Sequence, residues 1–341
     1  MKILVGMSGG VDSAYAALKL KEEGHTVEGA VLLMHSYTEI DSARQTAKNL
    51  GIKLHEIDAR EKFNQTVIPN FISEYMAART PNPCIVCNSD VKFRVLKDYA
   101  MEHGFDRIAT GHYARIKCVD NGGEKRFAIA EAQDSKKDQS YMLWRLPQDI
   151  LAVTMFPLSE TDKEDTRKAA AAASLAVANK AESQEICFIP DGDYASYIEE
   201  RVGICPSGDF IDEAGNKLGR HNGIIRYTVG QRKGLGIALG VRSFVSRIDP
   251  VLNTVTLTPI LPERDELTVQ GIVLSASKNI ESDRQYKVRL RYQAKPLLCR
   301  VSDLGGGRIK VLLEEKARVI TAGQSAVFYD SDTVAFGGFI E

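Results

Sequence analysis

Three cysteines and one glycine-serine stretch hold the residue types in this chain that could do chemistry. Cys84 and Cys87 share the run TPNPCIVCN over residues 80–88, and Cys187 follows about a hundred residues later between Ile186 and Phe188. A thiolate is both a nucleophile and a metal ligand, and basic groups or a helix N-terminus lower the pKa at which it forms. A CxxC is half of a zinc tetrahedron, but no second CxxC and no HxxxH completes one in this sequence. Placed close together, the pair reads as reactive or metal-binding thiols. Cys187, taken alone between two apolar residues, also reads as a small buried hydrophobe, and Cys118, Cys205 and Cys299 read as structural. The other stretch is SGGVDS, residues 8–13, directly after an apolar run. Gly9 and Gly10 let the backbone turn with its N–H groups facing one way, Ser8 and Ser13 add hydroxyls, and the helix behind them starts with partial positive charge. Together they form an anion cradle. The cradle lacks the closing Lys of GxxxxGK[ST] and the spacing of GxGxxG.

Both features need a scaffold, and alternating strand and helix signals supply one. Ala14, Ala17 and Leu18 recur at helical spacing after the loop, Gly24 closes that helix, and residues 27–34 form a buried strand. A helix over 42–50 ended by Gly51, the strand LHEI and a helix over 61–78 come next. Two prolines make residues 80–88 a loop; an amphipathic helix closing at Gly104 and a strand over 106–116, ending in Gly111 and His112, follow. The expected fold class is α/β, a doubly wound, Rossmann-like parallel sheet with its ligands at the carboxyl ends of the strands, where Met34 sits. NGGEKRFAIAEA reads as a hairpin partner strand, KKDQSYMLWRL as an aromatic-rich segment, and residues 162–180 as a helix whose acidic start and basic end suit its dipole. From about Ser207 short strands and polar turns replace helical periodicity, and a charged, proline-containing stretch over 261–267 marks a second boundary.

Bulk properties exclude some functions. At 341 residues the chain is long for one core, so two or three domains are expected. A net charge of −1 rules out affinity for polyanions over the whole surface, so any nucleic-acid site must be a local basic face. Six cysteines are too few for a disulfide scaffold and place the chain in a reducing compartment. The sequence enters its first strand without a signal-like segment, and the apolar run over 169–178 is too short to span a bilayer. The expectation is a cytoplasmic protein with no membrane contact.

SGGVDS resembles the pyrophosphate loop of ATP pyrophosphatases, which cleave ATP between its α and β phosphates. SGGVDS, TPNPCIVCN, GHYARI, KDQSYML, ESQEICF and RYTVGQRKGLG together, in this order over nearly the whole chain, resemble the tRNA-specific 2-thiouridylase family, which sulfurates the wobble uridine of certain anticodons. The resemblance implies an ATP pyrophosphatase domain over 1–206, a small β-rich linker domain over 207–264 and a tRNA-contacting C-terminal β-barrel over 265–341. It implies that ATP adenylates the C2 oxygen of uracil, a poor leaving group by itself, and that sulfur then displaces AMP. Cys187 would carry a persulfide received from a donor protein or cysteine desulfurase. Cys87, which precedes Asn88 as in the family motif, would be the partner thiol that forms a disulfide with Cys187 or assists sulfide release. Gly6, Met7, Ser8, Gly9, Gly10, Val11, Asp12 and Ser13 would hold the ATP phosphates, with Met34 and Gly111 against adenine and ribose. Asp12 would organise Mg2+, although an acidic helix-start residue is an equal reading. Asn82, Pro83 and position 84 would touch the target base, and His112, Lys137, Asp138, Gln139, Arg291, Tyr292 and Gln324 the tRNA. Many members carry Asp where this chain has Cys84, so an acid/base role there is open. Cys84, Cys87 and Cys187 could instead ligate an iron–sulfur cluster with one iron left for sulfide.

Residues 287–295, KVRLRYQAK, read as a strand with Lys287, Arg289 and Arg291 on one face and Val288, Leu290 and Tyr292 on the other. The basic stripe suits phosphate tracking, or simply a solvated outer strand. Arg226, Arg232 and Lys233 form a second basic, glycine-rich loop. Two other functions compete. A synthetase that adenylates a small molecule and adds nitrogen needs neither Cys87, Cys187 nor a basic tail, and an RNA-binding module has no use for an intact SGGVDS.

Overall fold

The computed structural model describes residues 1–120, 123–162, 165–166, 186–282 and 284–341. Its centre is β1 (Lys2–Gly6), where Ile3, Leu4 and Val5 are fully buried because both faces of the strand are covered. Ile3 and Val5 pack with Ala14, Ala17 and Leu20 of α1 (Val11–Glu22), while Leu4 faces the opposite layer with Phe93, Leu96 and Ile108. β1 pairs in parallel with β2 (Thr26–Leu33), and β2 with β3 (Leu54–Asp58). On its other side β1 pairs with β4 (Arg107–Thr110), giving the order β3-β2-β1-β4 before a two-residue edge strand at Thr154–Met155. The expected doubly wound parallel sheet is present. The order reverses between β1 and β4, which opens a crevice at their carboxyl ends.

Two local expectations are corrected. Residues 80–88 are not a loop throughout: Pro83–Val86 is a helical turn, Cys87–Lys92 a π-helical stretch and Phe93–Glu102 an α-helix. Asn82 caps this run, its Oδ1 accepting the Cys84 N–H at 3.2 Å, and Pro83 sits in the first turn, where a missing N–H costs nothing. The strand expected over 106–116 divides as well. β4 stops at Thr110 because the chain must cross the start of α1: a Cβ on Gly111 would lie 2.6 Å from the Asp12 carbonyl carbon and the Ser13 nitrogen. β5 (Arg115–Asp120) then pairs with β6 (Lys125–Ala130) in the expected hairpin. The helix expected over 162–180 and the ESQE of ESQEICF fall outside the described residues, apart from Asp162, Asp165 and Thr166.

Two β-rich units follow, as expected. The first is a four-stranded sheet over β8 (Gly208–Ile211), β9 (Lys217–His221), β10 (Phe244–Asp249) and β11 (Thr254–Thr258), counting the edge strand as β7, around Phe210, Val245 and Val255. The second comprises β12 (Arg264–Leu274), β13 (Tyr286–Arg289), β14 (Leu297–Gly305), β15 (Arg308–Ala317), β16 (Ser325–Asp330) and β17 (Thr333–Ile340). These six close into a barrel, with β17 pairing back to β12. Only residues up to Arg289 of the expected basic strand are β.

The barrel is welded to the layer that carries the parallel sheet. Trp144 is fully buried and donates from Nε1 to Ser325 Oγ at 3.0 Å, and Tyr141 OH donates to the Ser325 carbonyl at 2.9 Å. Gly337 is required there, since a Cβ would meet the Trp144 ring at 2.5 Å. β6 adds its end to β17 through Ala130 and Thr333, and Arg115 and Lys117 pair with Asp332. Among the described residues, no helix is long and apolar enough to cross a membrane.

Candidate active site

The loop after β1 is held open by its own side chains. Ser13 Oγ accepts the Ser8 N–H at 3.2 Å and donates to the Gly10 carbonyl at 3.0 Å, while Ser42 Oγ donates to the Gly9 carbonyl at 2.8 Å. Gly9 has φ of 74°, a conformation that L side chains avoid. α1 begins with Gly10 as its N-cap and no capping side chain, so its first N–H groups face the crevice available to an anion. Met7 and Val11 are buried, their side chains supporting the loop from the core side, and Gly6 ends β1 beneath it. Asp12 Oδ1 accepts a hydrogen bond from Tyr113 OH at 2.9 Å. The loop has the chemistry of a phosphate cradle.

Met34, just past β2, packs against the cluster that holds Cys87. Cys87 Sγ lies 3.7 Å from Met34 Sδ and is 6% exposed. Burial pushes its thiol up to about 12; Lys92 opposes through its ammonium and backbone N–H, and Cys84 and Cys187 push it further up. Cys84 reaches solvent, yet the protein packed around its sulfur raises its pKa, again opposed by Lys92. Cys187 is exposed, and its thiol is raised by desolvation and then by Cys84. The bland reading of Cys187 as a core residue is thus corrected: its side chain is exposed, while its neighbours Ile186 and Phe188 pack in one cluster with Cys87 and Met34. All six cysteines are free thiols. Among the described residues, no set of three or more His, Cys, Asp or Glu side chains is gathered as metal ligands.

Lys92 is a site residue that the sequence reading missed. Its Nζ donates to Asn88 Oδ1 at 3.1 Å, and Asn88 Nδ2 donates to the Met142 carbonyl at 3.0 Å. It lies at the far end of the π-helical stretch from Cys87, a period that 3.6-residue patterns do not reveal. Tyr113 was also missed. His112 accepts or donates at Nδ1 with Thr110 Oγ1 at 2.8 Å and packs near Phe93 and Phe156; burial, with Lys92 beside it, holds its imidazole down at about 3, hence neutral.

The residues assigned to RNA separate into two groups. Arg291, Arg232 and Lys233 are exposed, and Lys137 is half-buried. Asp138 is buried beneath the surface, accepting from the Ala132 and Ser140 N–H groups, Ser140 Oγ and Arg289, so its carboxylate is committed inside the protein. The same pairing removes Arg289 from the expected basic stripe. Gln139 pairs with the Tyr113 backbone, Gln324 Nε2 donates to the Thr80 carbonyl at 2.7 Å, and Tyr292 packs beside Tyr141. Arg226 pairs with Glu199. Asn82 and Pro83 form the helix start next to Cys84.

Three family models match the chain in succession: tRNA methyl transferase HUP domain over residues 1–191, tRNA methyl transferase PRC-barrel domain over 195–259, and Aminomethyltransferase beta-barrel domain over 264–340. A protein of Clostridium perfringens named tRNA-specific 2-thiouridylase MnmA is 41% identical over 359 residues, covering 100% of this chain and 98% of its own. Its namesake in Geotalea uraniireducens is 41% identical over 362 residues, covering 100% and 95%. That of Clostridioides difficile is 39% identical over 358 residues, covering 100% and 98%.

Proposed function

The chain belongs to the tRNA-specific 2-thiouridylase family, and from that membership we propose that it thiolates uracil C2 at the wobble uridine of tRNA at the expense of ATP. One observation carries the sulfur half of this reading: Ile186 and Phe188, which flank exposed Cys187, pack in one core cluster with Cys87 and Met34. The loop from Gly6 to Ser13 takes the phosphates of Mg-ATP, with Asp12 placed in the first turn of α1 for the accompanying cation and Gly111 packed against that turn. The uracil O2 attacks the α-phosphorus and pyrophosphate leaves, which turns the oxygen into a leaving group. Exposed Cys187 is within reach of a donor protein and accepts a persulfide from it. The terminal sulfur attacks C2 and AMP departs; Cys87 then attacks the Cys187 sulfur, forming a Cys87–Cys187 disulfide and releasing 2-thiouridine. A thiol reductant restores both cysteines. Burial raises the Cys84 thiol above its ordinary value, with Lys92 opposing, and no acid/base step is assigned to it in place of the carboxylate that many members carry there. The three thiols are not gathered as ligands, so no step is assigned to an iron–sulfur cluster.

The test is nucleoside mass spectrometry of unmodified tRNA incubated anaerobically with the protein, Mg-ATP and a persulfide source. Wild type forms 2-thiouridine, and Cys87→Ser and Cys187→Ser do not. A brown, absorbing protein whose colour tracks activity would replace the persulfide route with a cluster. Pyrophosphate release without thiouridine would move the small-molecule synthetase reading ahead.

A further inference from the structure

The ATP loop and the segment holding Lys137, Asp138 and Gln139 meet on one side chain. Tyr113 is 2% exposed, packed with Ala16, Ala132 and Leu158. Its hydroxyl donates to Asp12 Oδ1 at 2.9 Å and lies 2.9 Å from Thr166 Oγ1. Its backbone is locked in both directions to Gln139, with the Tyr113 N–H on Gln139 Oε1 at 3.0 Å and the Gln139 N–H on the Tyr113 carbonyl at 2.8 Å. Gln139 in turn follows Asp138, which Arg289 of the barrel holds at 2.8 Å.

We infer that Tyr113 is a positioning residue that ties the ATP loop to the 137–139 segment. The inference rests on reading SGGVDS as the ATP site and residues 137–139 as part of the RNA-facing side. The path is continuous and short: barrel Arg289, Asp138, Gln139, Tyr113, Asp12. Asp138 and Gln139 are joined by the chain itself and the other joints are hydrogen bonds, all between groups that are buried or half-buried, and packed cores transmit displacement because they cannot compress. Two residues earlier the same segment passes so close to α1 that only Gly111 fits. A shift of residues 137–139 must therefore move Tyr113, and with it the carboxylate of Asp12. Any ligand that orders one end changes the other end's affinity by the same factor.

The experiment measures Mg-ATP affinity of the full chain without tRNA, together with thermal unfolding and tRNA affinity. Tyr113→Phe keeps the packed ring and loses the hydroxyl; the expected result is about tenfold weaker ATP binding, the range of one hydrogen bond to a charged group, with an unchanged melting temperature. Gln139→Leu removes the acceptor of the Tyr113 N–H and is expected to weaken ATP binding in the same direction. Gln139→Glu, which keeps an oxygen there, retains it. Wild-type ATP affinity in both Tyr113→Phe and Gln139→Leu overturns the tie, as does a Gln139→Leu protein that loses tRNA affinity alone. A Tyr113→Phe protein that melts early yet binds ATP normally assigns the residue to packing and overturns it too. Failure of wild type to bind Mg-ATP overturns the ATP reading and the tie together.

Discussion

Arg289→Met should uncouple the barrel from the catalytic layer. The guanidinium reaches Asp138 at 2.8 Å and Glu131 at 2.5 Å; it is 15% exposed, the Asp138 side chain 1% and Glu131 31%. Removing one partner of a buried ion pair costs about 3–5 kcal/mol, because the survivor stays desolvated. Asp138 keeps the Ala132 N–H, the Ser140 N–H and Ser140 Oγ, and Glu131 is partly solvated, so the lower end applies, about 3 kcal/mol. For a cooperative unit of a few hundred residues that is a fall in Tm of roughly 6–12 °C. The assay is a double-mutant cycle with Asp138→Asn by thermal and urea unfolding, in which the pair should couple by about 2 kcal/mol or more. The pH dependence gives a second check. Burial holds the Glu131 carboxyl above its usual value and Arg289 opposes that rise. A carboxyl with a raised folded pKa gains stability as pH falls through that pKa towards 4.5, so the deficit of Arg289→Met should narrow on acidification. Additive single-mutant effects, or a Tm within about 2 °C of wild type, would refute the weld.

Three further outcomes follow from the site. His112, neutral in the fold with its pKa near 3 against 6.5 unfolded, supplies stability that is complete above 6.5 and lost as pH falls towards 3. At about 1.4 kcal/mol per pH unit, the acid limb of the stability curve should be shallower by about one proton in His112→Gln; parallel limbs would contradict this. Gly111→Ala forces the backbone of Asp12 and Ser13 aside and should weaken Mg-ATP binding by about tenfold or more, overpacking costing about 1–3 kcal/mol; unchanged binding in a calorimeter would sink the packing argument. Cys87 is 6% exposed and burial pushes its thiol up to about 12, so little thiolate is available to an alkylating reagent at pH 8. Iodoacetamide should therefore modify exposed Cys84 and Cys187 well before Cys87 in peptide mass spectra, and early labelling of Cys87 would contradict its burial.

Much of this architecture is legible in short-range patterns. An apolar run followed by SGGVDS and helical spacing specifies strand, loop and helix, and the alternation that follows specifies a parallel sheet. Asn82-Pro83 carries two opposite signals, since proline breaks helices but a capping residue followed by proline also opens them, and here it opens one. What sequence could not show were pairings between distant segments. Arg289 looked like part of an outward stripe because strand alternation does not say what covers a face, and its partner Asp138 lies 151 residues away. The fate of Lys92 depends on a π-helical stretch, and that of Tyr113 on the close approach at Gly111. Neither has a local signal.

The central claim is that sulfur on Cys187 becomes the sulfur on C2 of the wobble uridine. It is tested most directly by loading Cys187 with an isotopically labelled persulfide, removing free donor, adding unmodified tRNA and Mg-ATP anaerobically, and following the label into nucleosides by mass spectrometry. The account predicts labelled 2-thiouridine in at most one equivalent per Cys187 persulfide, dependent on ATP, with a Cys87–Cys187 disulfide left in the protein. Unlabelled 2-thiouridine, or undiminished thiolation by Cys187→Ser, would contradict it.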